Sequence, residues 1–592
     1  LTASMVLSLT GSVYWGGSSW VSNGSSGESY GPLTMKFQSP VVGTRAAATY
    51  YVDNRTGSNC DDRGSGTSAS TPWCSFEPVN VASGFAAGSS ILLARGATFL
   101  GPMKIRGSGT SIAWNSIGAF GSGARPIITG GGVATGRTIS MTNPNYWSVS
   151  GLEIEDAGVG IIVKYNTVGN HGLRFTDLYI HDLDFYVQGS PKAVDGGSYW
   201  STSITVGATG IDPEGASIID GVEISNVRAV NATAPALGGA TFGLVTGTVD
   251  VGAVTNAVIR NNSFSDSNGG MSLQSVSDSI VRDNFISGMG KDAKATGQTS
   301  LFLWHTKRLD ISNNVITNTA NTGSVDESAL DLEGYNDDIY IRGNYFGENP
   351  GPGVEVLALS GRPGDHNSNI TIEENTFHGN GTSGSSVYRG GVLFGINTSA
   401  PQSGTIGDNL FYEPNGGLQI GMPSSWTATG NTAVASSSDL THNGRDFTAS
   451  PWSYEQTSGS SYSALTASGG YWTGANGALV APTDMLPPTG TDYTTRSWTA
   501  PHGGTVTIRS HAALTDPASD GVAIRITKNG TTIWPGAGAV TTLSPSTLVA
   551  AYAAATHVSV VPGDVIRFEV SSGPSGNNAS DWLSWSPSIG YE

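Results

Sequence analysis

The chain has 592 residues, only 12% of them charged, and its 82 glycines against 28 lysines and arginines disfavour long helices and favour turn-rich β-structure. A formal charge of −18, with no run rich in Lys and Arg, argues against a nucleic-acid partner and against a strongly anionic polymer, and leaves a neutral ligand as the better fit. No stretch of 18 apolar residues is present, so no membrane span is expected, and the length accommodates two to four domains.

In chain order, residues 1–46 carry β-type patterning and are expected to form strands that pack on and cap the first coils of a solenoid, because an open solenoid end exposes its core. Cys60 and Cys74, separated by a stretch rich in Gly, Ser and Asp, read as a local disulfide of an exported protein, with two buried thiols as the alternative. With the low lysine content and many Thr and Asn, they favour an extracellular location. Beginning at Leu1, the sequence reads as a processed, soluble chain.

Between about residues 140 and 440 the sequence repeats. "VIRNNSF", "IVRDNFI", "DISNNVI", "YIRGNYF", "TIEENTF" and "TIGDNLF" place Asn262, Asn284, Asn314, Asn344, Asn375 and Asn409 at equivalent positions, with a degenerate copy at Asn431. The spacings are 22, 30, 30, 31, 34 and 22 residues, the length of one solenoid coil and short for a four-stranded propeller blade. Weaker copies occur at Leu152, Leu178 and Val227. The pattern predicts a parallel β-helix with two inward stacks, Ile259/Val281/Ile311/Ile341/Ile372/Ile406 and Phe264/Ile286/Ile316/Phe346/Phe377/Phe411. An Asn ladder at the bend between them is expected to be structural, since Asn tolerates left-handed backbone and its amide can bond to the coil above.

The opening stretches "YYVDNRTGSNC" and "GSSILLARGATFLGPMKI", followed by these Asn-turn coils, resemble the pectate-lyase-like right-handed β-helix superfamily of carbohydrate-active enzymes over roughly residues 48–445. The resemblance implies an all-β fold, a right-handed parallel β-helix at 47–445. It leaves the activity open among hydrolases, lyases, epimerases and adhesins. After about residue 445 the repeat gives way to short strands and turns, a β-sandwich at 446–592. That module looks like the small jelly-roll domains of secreted polysaccharide-active enzymes, with Trp472, Trp498, Trp534, Trp582 and Trp585 as core or as a sugar-stacking platform.

Chemistry is expected where carboxylates interrupt apolar strands. In "ALDLEGY" the alternation turns Leu330 and Leu332 inward and Asp331 and Glu333 outward; "GPGVEVLAL" turns Glu355 outward. Asp331 and Glu355 are 24 residues apart, close to one coil. Stacked coils lie about 4.8 Å apart, near the roughly 5–5.5 Å that separates the carboxyls of a retaining glycosidase. Similar strands, with an acidic residue one coil later, occur in retaining β-helix glycoside hydrolases, including β-xylosidase-like members. That resemblance implies Asp331 as nucleophile, Glu355 as acid/base and Glu333 as a positioning or alternative acid residue. The register of Glu355 against Asp331 or Glu333 is open, Asp331 with Asp326 could serve an inverting pair, and a solvated acidic face or a structural Ca²⁺ site are the other readings.

Gln274, Trp304, His305 and Arg362 on neighbouring coils, together with Asp326, are candidates for binding sugar, with Asp365 and His366 nearby. "YIHDLDF", with His181, Asp182 and Asp184, and His171 upstream form a second polar cluster, read as a distal subsite or a structural turn. The loops 185–218 and 231–256 exceed what a coil needs and are expected to wall the cleft. The expected function is a secreted glycoside hydrolase for a neutral or weakly charged polysaccharide or oligosaccharide, without a cofactor and without nucleic-acid or membrane partners. A polysaccharide lyase using Lys291, Lys294, Lys307 or Arg308, or a non-catalytic adhesin, are the alternatives.

Overall fold

The computed structural model describes residues 43–592 apart from 184–191, 195–196, 200–201, 209–216, 239–251, 292–298, 324–325, 359–362, 384–388, 396–399, 416, 418, 445, 469–470, 515–518 and 545–550, together with two short strands near the start of the chain. The chain forms two compact units, Leu1–Gly43 and Thr44–Glu592. In the first, Val13–Gly16 pairs antiparallel with Ser19–Ser22; of the expected capping by residues 1–46, residues 43–46 are described besides, with Arg45 bridged in parallel to Phe85, and the rest lies outside the described residues.

In the second unit, each coil contributes three short strands to three parallel sheets, A, B and C. One coil runs Lys307–Ser312 in A, Val315–Thr317 in B and Leu330–Leu332 in C, and the next runs Asn336–Arg342, Tyr345–Gly347 and Val354–Val356. Each strand pairs in parallel with its counterpart one coil on. Period-two alternation therefore turns one set of side chains into the coil at every level, and both predicted stacks are present, from Ile259 to Ile406 and from Phe264 to Phe411, each member at most 1% exposed. Phe377 and Phe411 stack face to face at 4.6 Å. Among the described residues the second unit holds one α-helix, Glu77–Asn80.

The Asn ladder is continuous. Asn314 Nδ2 donates to Asn344 Oδ1 at 2.9 Å and to Val281 O at 2.9 Å, while its Oδ1 accepts from Asn284 N at 3.1 Å and Nδ2 at 2.9 Å; the motif repeats from Asn262 to Asn431. The left-handed residue of the bend is the one before each ladder Asn: Asn261, Asp283, Asn313, Gly343, Glu374 and Asp408 all have positive φ. In the earlier coils the apolar Leu152, Leu178 and Val227 take the ladder's place, and Val227 N donates to Asn262 Oδ1 at 2.9 Å. Two further ladders brace the other bends, Thr319–Asn349–Asn380–Glu413 between B and C, and Thr306–Asn336–Asn367 between C and A.

The described N-terminal edge of sheet A is covered by residues 66–85, whose Trp73, Phe76, Val79 and Phe85 join the solenoid core. Cys60 and Cys74, just before and within this excursion, form a disulfide, as expected.

The C-terminal module consists of antiparallel sheets around its own core. Trp498 and Trp585 are buried in it, while Trp472, Trp534 and Trp582 are half-buried, so none of the five stands out as an exposed platform. The last solenoid strand is Thr432–Ala433, and Leu440–His442 already pairs with the final strand Ser588–Tyr591, so the module draws in chain upstream of residue 446. It rests on sheet B and the Asn bend: His442 stacks on Tyr345 at 4.6 Å, Thr376 Oγ1 donates to Ser588 Oγ at 2.7 Å, Arg282 donates to Leu514 O at 3.0 Å, and Arg509 Nε donates to Asp408 O at 3.0 Å. His511 Nε2 lies 2.8 Å from Glu374 Oε2. Burial pushes His511 down to about 4 and Glu374 up to about 8, so near neutral pH this contact is a carboxyl O–H donating to a neutral imidazole.

Asn314→Ala strands several buried polar groups at about 1–3 kcal/mol each, so it should lower the thermal midpoint by several degrees, whereas Asn431→Ala at the half-buried end of the ladder should lower it less. Burial also raises Glu413 to about 8 and Asp484 to about 7. The folded state therefore holds protons that an unfolded chain has released, and stability should fall as pH rises from about 4.5 through about 8. Thermal melts from pH 5 to 9 should show this decline, and Glu374→Gln with Glu413→Gln should flatten it.

Candidate functional site

Sheet C decides the register that the sequence left open. Leu330, Asp331 and Leu332 pair directly with Val354, Glu355 and Val356, so Glu355 sits over Asp331. Leu330, Leu332, Val354 and Val356 are fully buried in the core, which fixes both carboxylates on the outer face of the coil. The same outward column runs through Ser272, Phe302, Asp331, Glu355 and Leu393. A solvated acidic face is not what forms: Asp331 is 2% exposed and Glu355 0%.

Neither carboxylate oxygen of Glu355 has a hydrogen-bond partner among the described residues. Burial pushes its carboxyl well above the usual range, and the negative charges of Asp326 and Glu333 add to the effect. Asp326, half-buried, is raised to about 6 by burial, then by Glu333 and Glu327. Asp326, Glu327, Asp331, Glu333 and Glu355 thus form one acidic group around two adjacent rungs, and within it Glu355 is the most deeply buried.

The turn that brings Asp326 there is strained. Asp326 and Glu327 both have left-handed backbone, at φ +66° and +52°, a conformation that costs a non-glycine residue about 1–3 kcal/mol. Glu327 Oε1 accepts from Thr322 N at 2.7 Å and Oγ1 at 3.0 Å, and Glu327 O accepts from Gly351 N at 3.0 Å. A Cβ on Gly351 would lie 1.7 Å from Asp326 O, so only glycine lets the next coil approach this turn. Glu333 follows the strand, its N donating to Leu303 O at 2.9 Å.

Of the residues proposed to bind sugar, Trp304 and Gln274 share a second outward column beside the carboxylates. Trp304 is half-buried; Gln274 is buried and donates to Ser272 Oγ at 3.3 Å. His305 belongs to a ring stack at the bend between C and A, edge-on to Trp304 at 4.6 Å and stacked on Tyr335 at 4.2 Å. Asp365 Oδ1 accepts from Tyr335 N at 3.1 Å, and His366 contacts Asp337 at 3.2 Å, on the side of sheet A. Arg362, Lys294 and Asp184 lie outside the described residues, as does about half of the stretches 185–218 and 231–256, in which Ile204–Ala208 and Ala236–Gly238 are strands of sheet C. Arg308 is paired with Asp278 on sheet A, and Lys307 also lies in that sheet. His181 lies in sheet B, on another face.

Phe302 and Glu327 join the site without having been singled out by the sequence pattern. Phe302 is reachable by extending the alternation of "SLFLWH" once the register is known, whereas the left-handed turn at Asp326–Glu327 has no glycine to announce it.

Residues 137–393 match the family model described as the right-handed β-helix region. A comparison with curated protein sequences finds no match. Among solved structures, the chain is similar to a GH136 lacto-N-biosidase from Eubacterium ramulus (17% identity, 65% of this chain and 68% of that one, TM-score 0.49). It is also similar to an alginate lyase from Paenibacillus sp. str. FPU-7 (17%, 65% and 99%, 0.36) and to XylC in complex with xylose (12%, 63% and 69%, 0.38). The repeat, the three parallel sheets and the family match together identify the solenoid of this chain as a right-handed parallel β-helix.

Proposed function

We propose that the protein is a secreted glycoside hydrolase acting on a neutral or weakly charged polysaccharide or oligosaccharide with retention of configuration. The observation that carries this reading is the direct pairing of Asp331 with Glu355 on adjacent rungs, with Glu355 buried among other carboxylates. Rungs lie about 4.8 Å apart, and two outward side chains in register keep roughly that spacing, near the 5–5.5 Å of a retaining pair.

In this mechanism Asp331 attacks the anomeric carbon as the glycosidic bond breaks, and Glu355, held protonated, gives its proton to the leaving oxygen. Glu355, now ionised, then takes a proton from the water that displaces Asp331, which restores both groups. Trp304 and Phe302, one rung earlier, offer aromatic surface to a sugar face. Of the described cations that a lyase could use as base, Lys291 donates to Asn231, Arg308 is engaged by Asp278 and Lys307 lies in sheet A, none of them on the face of Asp331 and Glu355.

The test is digestion of a polysaccharide panel, read by new reducing ends and by absorbance of unsaturated uronates. Asp331→Asn and Glu355→Gln should each lower the rate by at least about 10³-fold, with reducing ends and no absorbance in the wild type. Absorbance would establish a lyase, and binding without cleavage an adhesin. The pH profile provides a second check. Glu355 must be protonated in the first step, so activity should fall as pH rises through its raised pKa; Asp326→Asn removes a neighbouring negative charge and should move that alkaline limb to lower pH.

A further inference from the structure

Four and five rungs before the coil of Asp331, and in sheet B instead of sheet C, a second set of polar side chains converges. Glu153, Ile154 and Glu155 pair in register with Tyr179, Ile180 and His181. Ile154 and Ile180 are buried in the core, so the two glutamates and the histidine project from the outer face together. His181 Nε2 lies 3.1 Å from Glu153 Oε1 and 3.5 Å from Glu155 Oε2. One ligand atom from each of the three residues lies within 4.8 Å of the others.

The imidazole is fixed from behind. Its Nδ1 is 2.8 Å from Asp182 Oδ2, and its ring stacks on Tyr179 at 4.4 Å. Asp182 is itself held by Asn231 Nδ2 at 3.0 Å, and Asn231 Oδ1 accepts from Lys291 Nζ at 3.1 Å. In the neutral tautomer that donates Nδ1–H to Asp182, the lone pair of Nε2 faces two groups that, when ionised, only accept, and three acceptors around one point suit a cation. A carboxylate that orients a histidine through Nδ1 while Nε2 meets other oxygen ligands is the outer-shell arrangement of many metal centres.

We propose that Glu153, Glu155 and His181 bind a divalent transition-metal ion, with Asp182 as the residue that orients His181. One nitrogen and two carboxylate oxygens suit Zn²⁺ or Mn²⁺ better than Ca²⁺, which prefers an all-oxygen shell of six to eight ligands. The three ligands come from two rungs of one face, which leaves the remaining coordination positions to water or to a hydroxyl or carboxylate of a bound sugar. At about 19 Å along the axis from the coil of Asp331, and on another face, the site stands independently of the proposed hydrolytic reaction.

The experiment is titration of the metal-free full-length protein with Zn²⁺ and with Mn²⁺, followed by calorimetry, with the Co²⁺ absorption spectrum as a report on coordination. The expected result is one equivalent bound per chain. Binding should be lost in the Glu153→Gln/Glu155→Gln double variant, weakened about 100-fold in His181→Gln and about 10–100-fold in Asp182→Asn, and unchanged in Glu355→Gln. Circular dichroism checks that each variant is folded, and the glutamine double variant keeps the test intact if His181→Gln is not. A wild type that binds no stoichiometric metal would overturn the proposal and leave a protonated imidazole bridging the carboxylates; so would binding that survives the double variant. Neither result bears on the panel digestion.

Discussion

Everything in the solenoid depends on one constraint: each strand pairs in parallel and in register with the strand one coil away. That pairing stacks like on like, so a side chain at one level meets its equivalent above and below at about the rung spacing. For apolar residues the outcome is the Ile and Phe stacks; for Asn it is an amide chain in which each Oδ1 accepts from the backbone N and the Nδ2 of the ladder Asn one coil earlier. For acids it brings like charges together, an arrangement that costs stability wherever water is excluded. Asp331 over Glu355 is the place where the fold accepts that cost.

The acidic group therefore has a different character from the structural polar ladders. Asn344 or Asn380 has donors and acceptors on every side, whereas Glu355 is buried with neither oxygen bonded among the described residues. A carboxyl so placed keeps its proton, and protonation is also what an acid catalyst needs. The strained turn at Asp326–Glu327, admitted only because residue 351 is glycine, adds another carboxylate to the same neighbourhood.

The C-terminal module shows how context reassigns residues. Its tryptophans are candidates for a sugar platform on sequence alone, but a small sandwich needs large apolar side chains inside, and Trp498 and Trp585 serve there. The module in turn occupies sheet B of the later coils, where His442, Ser588 and Arg509 meet Tyr345, Thr376 and the backbone at Asp408. The earlier coils of that sheet carry the Glu153–Glu155–His181 group, and sheet C carries the acids.

The periodic part of this protein was legible in its amino-acid pattern. A repeat of about one coil, alternation within each strand and an Asn at each bend were enough to predict the solenoid, its two inward stacks, the role of the ladder and the outward direction of Asp331 and Glu355, because periodicity is a local property. The segments between the repeats took their places only in three dimensions. Loop lengths vary from coil to coil, so no count of residues could place Glu355 over Asp331 instead of Glu333; the register emerged when the core residues on either side, Leu330 with Val354 and Leu332 with Val356, locked together. Burial was likewise illegible, since exposure of an outward residue depends on chain far away in sequence. The meeting of Glu153 and Glu155 with His181 has the same origin: 26 residues separate Glu155 from His181, and only strand pairing turns that separation into a contact.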